Sequence, residues 1–209
     1  MIHPLRRAGL RRRPRLRADQ AGATVAEIGV ALGIIAAISG MALPAASGTR
    51  DRLLADGGAR HLASLVLHLR SSSVARGVHV ALVFRPDGTD LCYAAFADAN
   101  HNGVRATDIS RGIDRQVTPW EHLADHFAGV SFGILAGVTD PDTASPLTGS
   151  PLRLGGSDML SFGPTGGATS GTLYLRGRGR QQFAVRVLGT TGRSRLLRFD
   201  FGSGRWLPP

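Results

Sequence analysis

The sequence has a single cysteine, Cys92, and no lysine among its 25 basic residues. One cysteine excludes an intramolecular disulfide and a metal cluster built on cysteines. Arginine carries all of the positive side-chain charge, which we attribute to a GC-rich genome rather than to selection for guanidinium chemistry. Aromatic residues make up only 6% of the chain, so any hydrophobic core is expected to be aliphatic and modest.

The sequence also lacks the residue groupings that indicate catalysis. Its seven histidines are scattered along the chain. His122 and His126 have the four-residue spacing that places two metal ligands on one helix face, but no third ligand is indicated. Residues 71–73 are serines without a recognisable base or oxyanion partner. We therefore expect no enzyme activity and no cofactor, with calcium considered separately below.

Positive charge is concentrated at the two ends of the chain, whose formal net charge is +10. Residues 1–22 hold seven arginines and one acid, a net +6. Residues 23–175 hold 10 arginines and 13 acids, a net −3, whereas residues 176–206 hold eight arginines and one acid, a net +7. Because the N-terminal stretch supplies most of the excess, the overall charge does not by itself indicate nucleic-acid binding.

An apolar segment follows the basic N-terminal stretch. No side chain is charged from Ile28 to Thr49, and about 20 apolar residues are enough to cross a bilayer as a helix. The arginines before this segment hold their end in the cytoplasm and direct the following residues outward. Glu27 lies inside the segment, where an unpaired carboxylate is costly and usually marks a function or a partner.

Residues 22–28 match a known signal. They read Gly-Ala-Thr-Val-Ala-Glu-Ile, which resembles the class III signal of type IV pilins and type II secretion pseudopilins. The resemblance implies that a prepilin peptidase cuts after Gly22, that Ala23 becomes the methylated N-terminus, and that the apolar helix is retained. It also implies that Glu27 meets the N-terminal amine of a neighbouring subunit in a fibre, since a compensating cation makes a carboxylate tolerable in apolar surroundings.

A secretory signal peptide or a plain membrane anchor on an unrelated periplasmic domain is the alternative. Residues 44–47, Pro-Ala-Ala-Ser, offer only a poor cleavage site, and neither Gly22 nor Glu27 is explained that way. The pilin-like interpretation places the protein in the inner membrane as a single-pass protein, with its C-terminal head in the periplasm. After assembly the subunit is associated with a fibre.

The remaining pattern predicts an α+β protein, in which one long N-terminal helix packs on an antiparallel β-sheet head. This layout resembles the pilin-like fold of the same superfamily. The expected domains are a leader at 1–22, a hydrophobic transmembrane and assembly helix at 23–46, an amphipathic continuation at 47–77 and a mostly β head at 78–209. The apolar face of the continuation is formed by Leu53, Leu54, His61, Leu62, Leu65, Val66 and Leu69. Gly57 and Gly58 are expected to loosen this helix locally.

The head shows short segments with the two-residue period of strands, separated by glycine- and proline-containing turns. Strands are predicted at 78–84, 91–96, 113–117, 130–135, 159–162, 172–175, 182–188 and 195–201. A short helix or an irregular segment is expected at 120–127. Residues 137–158 are rich in Gly, Pro, Ser, Thr and Asp and predict a long surface loop.

Two further segments resemble the GspH/FimT family of minor pilins and pseudopilins. They are residues 68–78, where the helix passes into the first strand, and residues 160–166, which precede a hairpin. The resemblance implies a low-abundance subunit that starts or caps the pseudopilus of a type II secretion system or a type IV pilus. Its partners are then other pilins or pseudopilins, the prepilin peptidase and the inner membrane.

Arginines on glycine-flanked turns near the C-terminus suggest a second function, because guanidinium groups placed there can reach phosphates. The candidates are Arg178, Arg180, Arg193 and Arg195. Family members that act in natural transformation bind DNA through a Gly-Arg-x-Arg motif, which residues 192–195 match. DNA binding for uptake, through backbone phosphates rather than base edges, is therefore the alternative function. An exposed pair of turns in an arginine-rich chain is the other interpretation.

One polar loop has the first half of a calcium-binding pattern, with oxygen ligands at alternate positions and a glycine at the sixth. The oxygen ligands are Asp98, Asn100 and Asn102. The twelfth position is Ile109, where a bidentate glutamate is needed, although Asp108 is adjacent. An Asn-Gly turn joining two strands is the alternative, and the missing glutamate favours it. No other metal site is expected.

Overall fold

The computed structural model describes residues 24–209, apart from the side chains of residues 39–47. The predicted leader, residues 1–22, and the predicted methylation site Ala23 lie outside the described residues. Cleavage after Gly22 therefore stays a prediction.

The chain divides into two units. The first ends at Leu43, and the second comprises Pro44–Pro209. Helix α1 (Val25–Arg76) begins in the first unit and ends in the second. Within the described part of the chain, no helix contains an apolar stretch long enough to cross a membrane.

Antiparallel strands form two sheets in the second unit. Two short helices, α2 (Ala106–Ser110) and α3 (Leu123–His126), occur between strands along the chain. In chain order the strands are β1 (Val80–Asp87), β2 (Asp90–Ala97), β3 (Arg115–Gln116), β4 (Ser131–Phe132), β5 (Leu152–Arg153), β6 (Met159–Phe162), β7 (Gly171–Arg176), β8 (Gln182–Leu188), β9 (Arg193–Asp200) and β10 (Arg205–Leu207). The first sheet has the order β3-β2-β1-β6. The second has the order β10-β9-β8-β7-β4, with β5 also paired to β7. The predicted α+β class is confirmed.

The apolar face of α1 forms the centre of the main core. Five of its side chains, spaced by three and four residues, are at most 2% exposed: Ala55, Ala59, Leu62, Val66 and Leu69. They cluster with apolar side chains from both sheets, including Leu82, Leu160, Leu173 and Val185. The predicted face is thus confirmed at Leu62, Val66 and Leu69, but Leu53 is 68% exposed and its assignment was wrong.

The paired glycines of α1 bring another segment close to the helix instead of loosening it. The helix runs unbroken through Gly57 and Gly58, so the predicted loosening is wrong. A Cβ atom on Gly57 would lie 3.0 Å from the Phe127 ring, and one on Gly58 would lie 3.0 Å from Val130. The missing side chains therefore let the segment after α3 pack directly on the helix backbone.

The predicted strand at 130–135 is shortened to β4 because a buried side chain takes over its backbone hydrogen bonds. The Gln182 amide donates to the Gly133 carbonyl at 3.0 Å, and its oxygen accepts the Leu135 N–H at 2.8 Å. Gln182 is fully buried. These bonds satisfy the backbone polar groups without a longer ladder.

The predicted loop at 137–158 is largely loop, but it covers one face of the second sheet. Val138 and Leu147 are 1% and 7% exposed and pack in a smaller cluster with Tyr174, Ala184 and Phe199. Strand β10, which the sequence does not predict, closes this cluster. Its Trp206 donates an indole N–H to the Thr139 carbonyl at 2.7 Å.

Two leucines on α1 give a matched test of this packing. Truncating the buried side chain in Leu62→Ala leaves a cavity and should lower the free energy of unfolding by about 2–5 kcal/mol. The exposed Leu53→Ala should change it by no more than about 0.5 kcal/mol. Denaturant melts of both variants measure this difference, and equal effects would contradict the assigned helix face.

Candidate functional site

Glu27 lies in the first turn of α1 and forms a capping box with Thr24. Its Oε2 accepts the Thr24 backbone N–H at 2.8 Å and the Thr24 hydroxyl at 3.1 Å. In return, Glu27 donates its own N–H to the Thr24 hydroxyl at 3.3 Å. The sequence contains the pattern of this motif, Thr-x-x-Glu. The resemblance to pilins indicated only a role of Glu27 between subunits. Glu27 therefore has a structural role within its own chain.

The first helical turns of α1 expose apolar side chains on every side. Seven large ones are between 51% and 88% exposed: Val25, Ile28, Val30, Leu32, Ile34, Ile35 and Ile38. A helix that is apolar all round is normally covered by other helices or by lipid. Within the first unit, this surface and Glu27 are the chemical features that call for a partner.

Arg193 and Arg195 lie at the start of β9, beside a groove between that strand and α1. The groove is lined by Leu67, Arg70, Leu188, Arg193, Ser194 and Arg195. Both arginines of the predicted DNA-binding pair are exposed. The structure therefore adds a third guanidinium, that of Arg70, which the sequence analysis did not include.

Strand pairing places two more arginines in the same row as Arg195. Arg195 is directly opposite Arg186 of β8, which is opposite Thr172 of β7. Thr172 is in turn opposite Arg153 of β5. Arg186 is paired with the Asp142 carboxylate, which raises the pKa of Arg186. One positive charge of the row, that of Arg186, is thus neutralised by Asp142 of the loop that covers this sheet face.

Arg178 and Arg180 lie far from Arg193 and Arg195, because they are on the turn at the other end of β8. That strand has seven residues, so the two ends are separated by about 20 Å at a rise of about 3.3 Å per residue. Arg180 stacks on the Phe201 ring, with its guanidinium carbon 4.5 Å from the ring centroid. Arg178 packs against Gly129, where a Cβ atom would lie within 3 Å of its side chain.

The four residues of the predicted calcium loop are brought together by hydrogen bonds. Asp98 accepts the backbone N–H of Asn100 at 3.1 Å and of Gly103 at 2.7 Å. The side-chain amides of Asn100 and Asn102 donate to Asp108 at 3.2 and 3.0 Å. These two hydrogen bonds lower the pKa of Asp108, and the one from Asn102 has the larger effect. The loop closes on its own side chains, and calcium binding there stays a prediction.

Helix α2 and Asp114 complete this loop, and neither is indicated by the calcium pattern. Asp114 is 4% exposed and accepts the Ala99 N–H at 3.4 Å and the Arg105 N–H at 3.0 Å. Two carboxylates, those of Asp98 and Asp114, thus order the backbone around Asp108. An aspartate six residues after Asp108 was the signal that could have indicated this role.

The two histidines at four-residue spacing have different neighbours. His126 Nε2 lies 3.5 Å from the Glu121 carboxylate. His122 Nε2 lies 3.2 Å from Asp87, and its side chain also approaches Cys92. The structure therefore does not join the two histidines into one site, but it groups His122 with two residues that the sequence analysis did not associate with it.

The lowered pKa of Asp108 predicts a pH-dependent contribution to stability. Because the folded-state pKa lies below the unfolded value of about 4, the stabilisation is complete above that value and is lost as the pH falls through the folded pKa. The variant Asp108→Asn should therefore melt at a lower temperature than the wild type at pH 7, with the difference shrinking as the pH falls below about 4. Thermal melts across this range measure that difference, and one independent of pH would contradict the assignment.

No family model and no curated protein matches this chain. Among solved structures, the chain is similar to the minor pseudopilin EpsH from the Type 2 Secretion System of Vibrio cholerae, at 16% sequence identity and a TM-score of 0.42. The similarity covers 69% of this chain and 96% of that chain.

Proposed function

We propose that this protein is a minor pseudopilin or minor type IV pilin, built into a type II secretion pseudopilus or a type IV pilus. It enters the inner membrane through the apolar part of α1, with its head in the periplasm. Prepilin peptidase cuts after Gly22, and the new N-terminus is methylated at Ala23. The subunit then assembles with other pilins or pseudopilins, at the start or the cap of the fibre.

The observation that carries this proposal is the position of Glu27 in the first turn of an apolar helix. Processing after Gly22 would place a positive amine on Ala23, directly before Thr24. A cation at a helix N-terminus opposes the helix dipole, and a carboxylate in the first turn offsets this cost. Among the described residues, both hydrogen bonds to the Glu27 carboxylate go to Oε2, which leaves Oε1 for the amine of an adjacent subunit.

The exposed apolar side chains of α1 from Val25 to Ile38 support the same proposal. Each one left in water forfeits about 1.5–3 kcal/mol of hydrophobic stabilisation. Lipid can cover this surface before assembly, and neighbouring α1 helices can cover it in a fibre. Helix packing then supplies the driving force for polymerisation, and Glu27 sets the register between subunits.

Three substitutions separate the capping role of Glu27 from its pairing with an amine. Gln also serves at this position of a capping box, so Glu27→Gln keeps the cap and removes the charge. Thr24→Ala weakens the cap, at a cost of about 1 kcal/mol, and keeps the charge. We expect Glu27→Gln and Glu27→Ala to block incorporation into fibres, whereas Thr24→Ala assembles.

Fibre incorporation is measured by recovery of the subunit in sheared fibres, with membrane levels of each variant as the control. Normal assembly of Glu27→Gln would exclude the charge pairing. Loss of assembly in Thr24→Ala alone would show that only the cap matters.

Mass spectrometry of the mature chain tests processing. We expect a first residue at Ala23 that carries an added methyl group. A first residue near Ser47, or an intact leader, would instead indicate the alternative, a signal-anchored or secreted periplasmic domain unrelated to pili.

DNA binding for natural transformation is a second candidate function, favoured by the cluster around Arg193 and Arg195. The groove beside them is lined by both β9 arginines and by Arg70 of α1. Such a cluster suits backbone phosphates, with affinity that falls steeply as salt rises. Arg178 and Arg180, which lie at the far end of β8, are not part of this surface and serve as matched controls.

Salt-dependent mobility shifts with the full-length protein test this second function. We expect Arg193→Ala combined with Arg195→Ala to weaken DNA binding and to reduce the slope of log K against log salt by about one for each phosphate that the variant no longer neutralises. Arg178→Ala combined with Arg180→Ala removes the same charge and should leave binding nearly unchanged. Equal effects of the two pairs would indicate non-specific attraction, and no binding at low salt would exclude this function.

A further inference from the structure

Three side chains of types that bind metal ions, those of Asp87, Cys92 and His122, lie close together at the first sheet. The β1–β2 register pairs Asp87 with Asp90 and Arg85 with Cys92. Because side chains two residues apart on a strand share a face, Asp87 and Cys92 lie on the same face of this hairpin. The antiparallel bridge between Tyr93 and Glu121 places His122 next to Cys92 on that face.

The three groups are close enough to bind one ion. One donor atom from each of Asp87, Cys92 and His122 lies within 4.8 Å of the other two, and His122 Nε2 is 3.2 Å from Asp87 Oδ2. Tetrahedral zinc at about 2.0–2.3 Å from its ligands needs donor separations of about 3.3–3.6 Å. The Asp87–His122 pair already has about this separation.

We propose that Asp87, Cys92 and His122 form a zinc-binding site. A thiolate, an imidazole and a carboxylate are the three ligand types that zinc takes in proteins, and three protein ligands leave a fourth position open. The charges of a thiolate and a carboxylate balance those of a divalent cation. Binding releases the thiol proton to solvent, so the affinity rises with pH.

Burial and accessibility also suit an ion. Cys92 is 1% exposed, whereas the side chains of His122 and Asp87 are 30% and 59% exposed. An ion can therefore enter from the solvent side, past Asp87, and bind against a thiol that is shielded from water. The site would join the β1–β2 hairpin to the segment that precedes α3.

Two neighbouring side chains support the ligands. Arg85 donates its Nε–H to the Cys92 sulfur at 3.3 Å, and its guanidinium carbon lies 4.2 Å from the centroid of the Trp120 ring. Asp125 Oδ2 accepts the His122 backbone N–H at 2.7 Å, which fixes the backbone of His122 at the start of α3.

The experiment is a titration of the reduced full-length protein with zinc against a chromophoric chelator. We expect one zinc ion per chain that raises the melting temperature, because a ligand bound only by the folded state stabilises it. Cobalt in place of zinc should give a sulfur-to-metal charge-transfer band. Cys92→Ser should abolish the band, and both Cys92→Ser and His122→Ala should lower the zinc affinity by about tenfold or more.

His126→Ala is the matched control, because His126 lies at the end of α3, four residues after His122, but faces Glu121. We expect it to bind zinc like the wild type. Should the buried Cys92→Ser variant fail to fold, the exposed Asp87→Asn provides the same test and should also weaken zinc binding. The proposal is overturned by the absence of stoichiometric binding, or by zinc affinity that depends on His126 rather than on Asp87, Cys92 and His122.

Discussion

The packing of one face of α1 against both sheets is the interaction on which the second unit depends. The first two residues of this face are small, Ala55 and Ala59, and larger side chains follow at Leu62, Val66 and Leu69, all of them in the main core cluster. The row ends at the fully buried Ser73, whose hydroxyl lies 2.8 Å from the Val78 carbonyl and 2.9 Å from that of Phe162. The Ser73 hydroxyl thus links the end of the helix to β6, and its hydrogen bonds leave no buried donor of this side chain unpaired.

The sequence predicts the local elements well, because they follow from periodicity and turn residues. The helix through Leu62 and Leu69, the β1–β2 hairpin and β7 to β9 are near their predicted positions. The segments that the sequence misassigns are those held by distant partners. The shortening of β4 depends on the side chain of Gln182, and the burial of Val138 depends on a sheet face formed by residues far along the chain.

The candidate sites show the same division. The Thr-x-x-Glu cap at Glu27 is a local pattern that could have been read from the sequence. The grouping of Cys92 with His122, by contrast, requires the register of three separate segments, and no spacing in the sequence indicates it. The sequence analysis placed four arginines in one candidate surface, but closeness in the sequence does not bring them together. Arg180 and Arg193 are 13 residues apart and lie at opposite ends of β8.

The turn before β9 has a consequence for how the Gly-Arg-x-Arg motif evolves. Gly192 has a φ of 60°, and a Cβ atom there would lie 2.3 Å from the Gly166 carbonyl oxygen and 2.6 Å from Arg70. Any side chain at this position would force the two turns apart, whatever the protein binds. The glycine is thus required by the packing of the two turns, whatever Arg193 and Arg195 contact, so we expect it to persist in relatives that have lost both arginines.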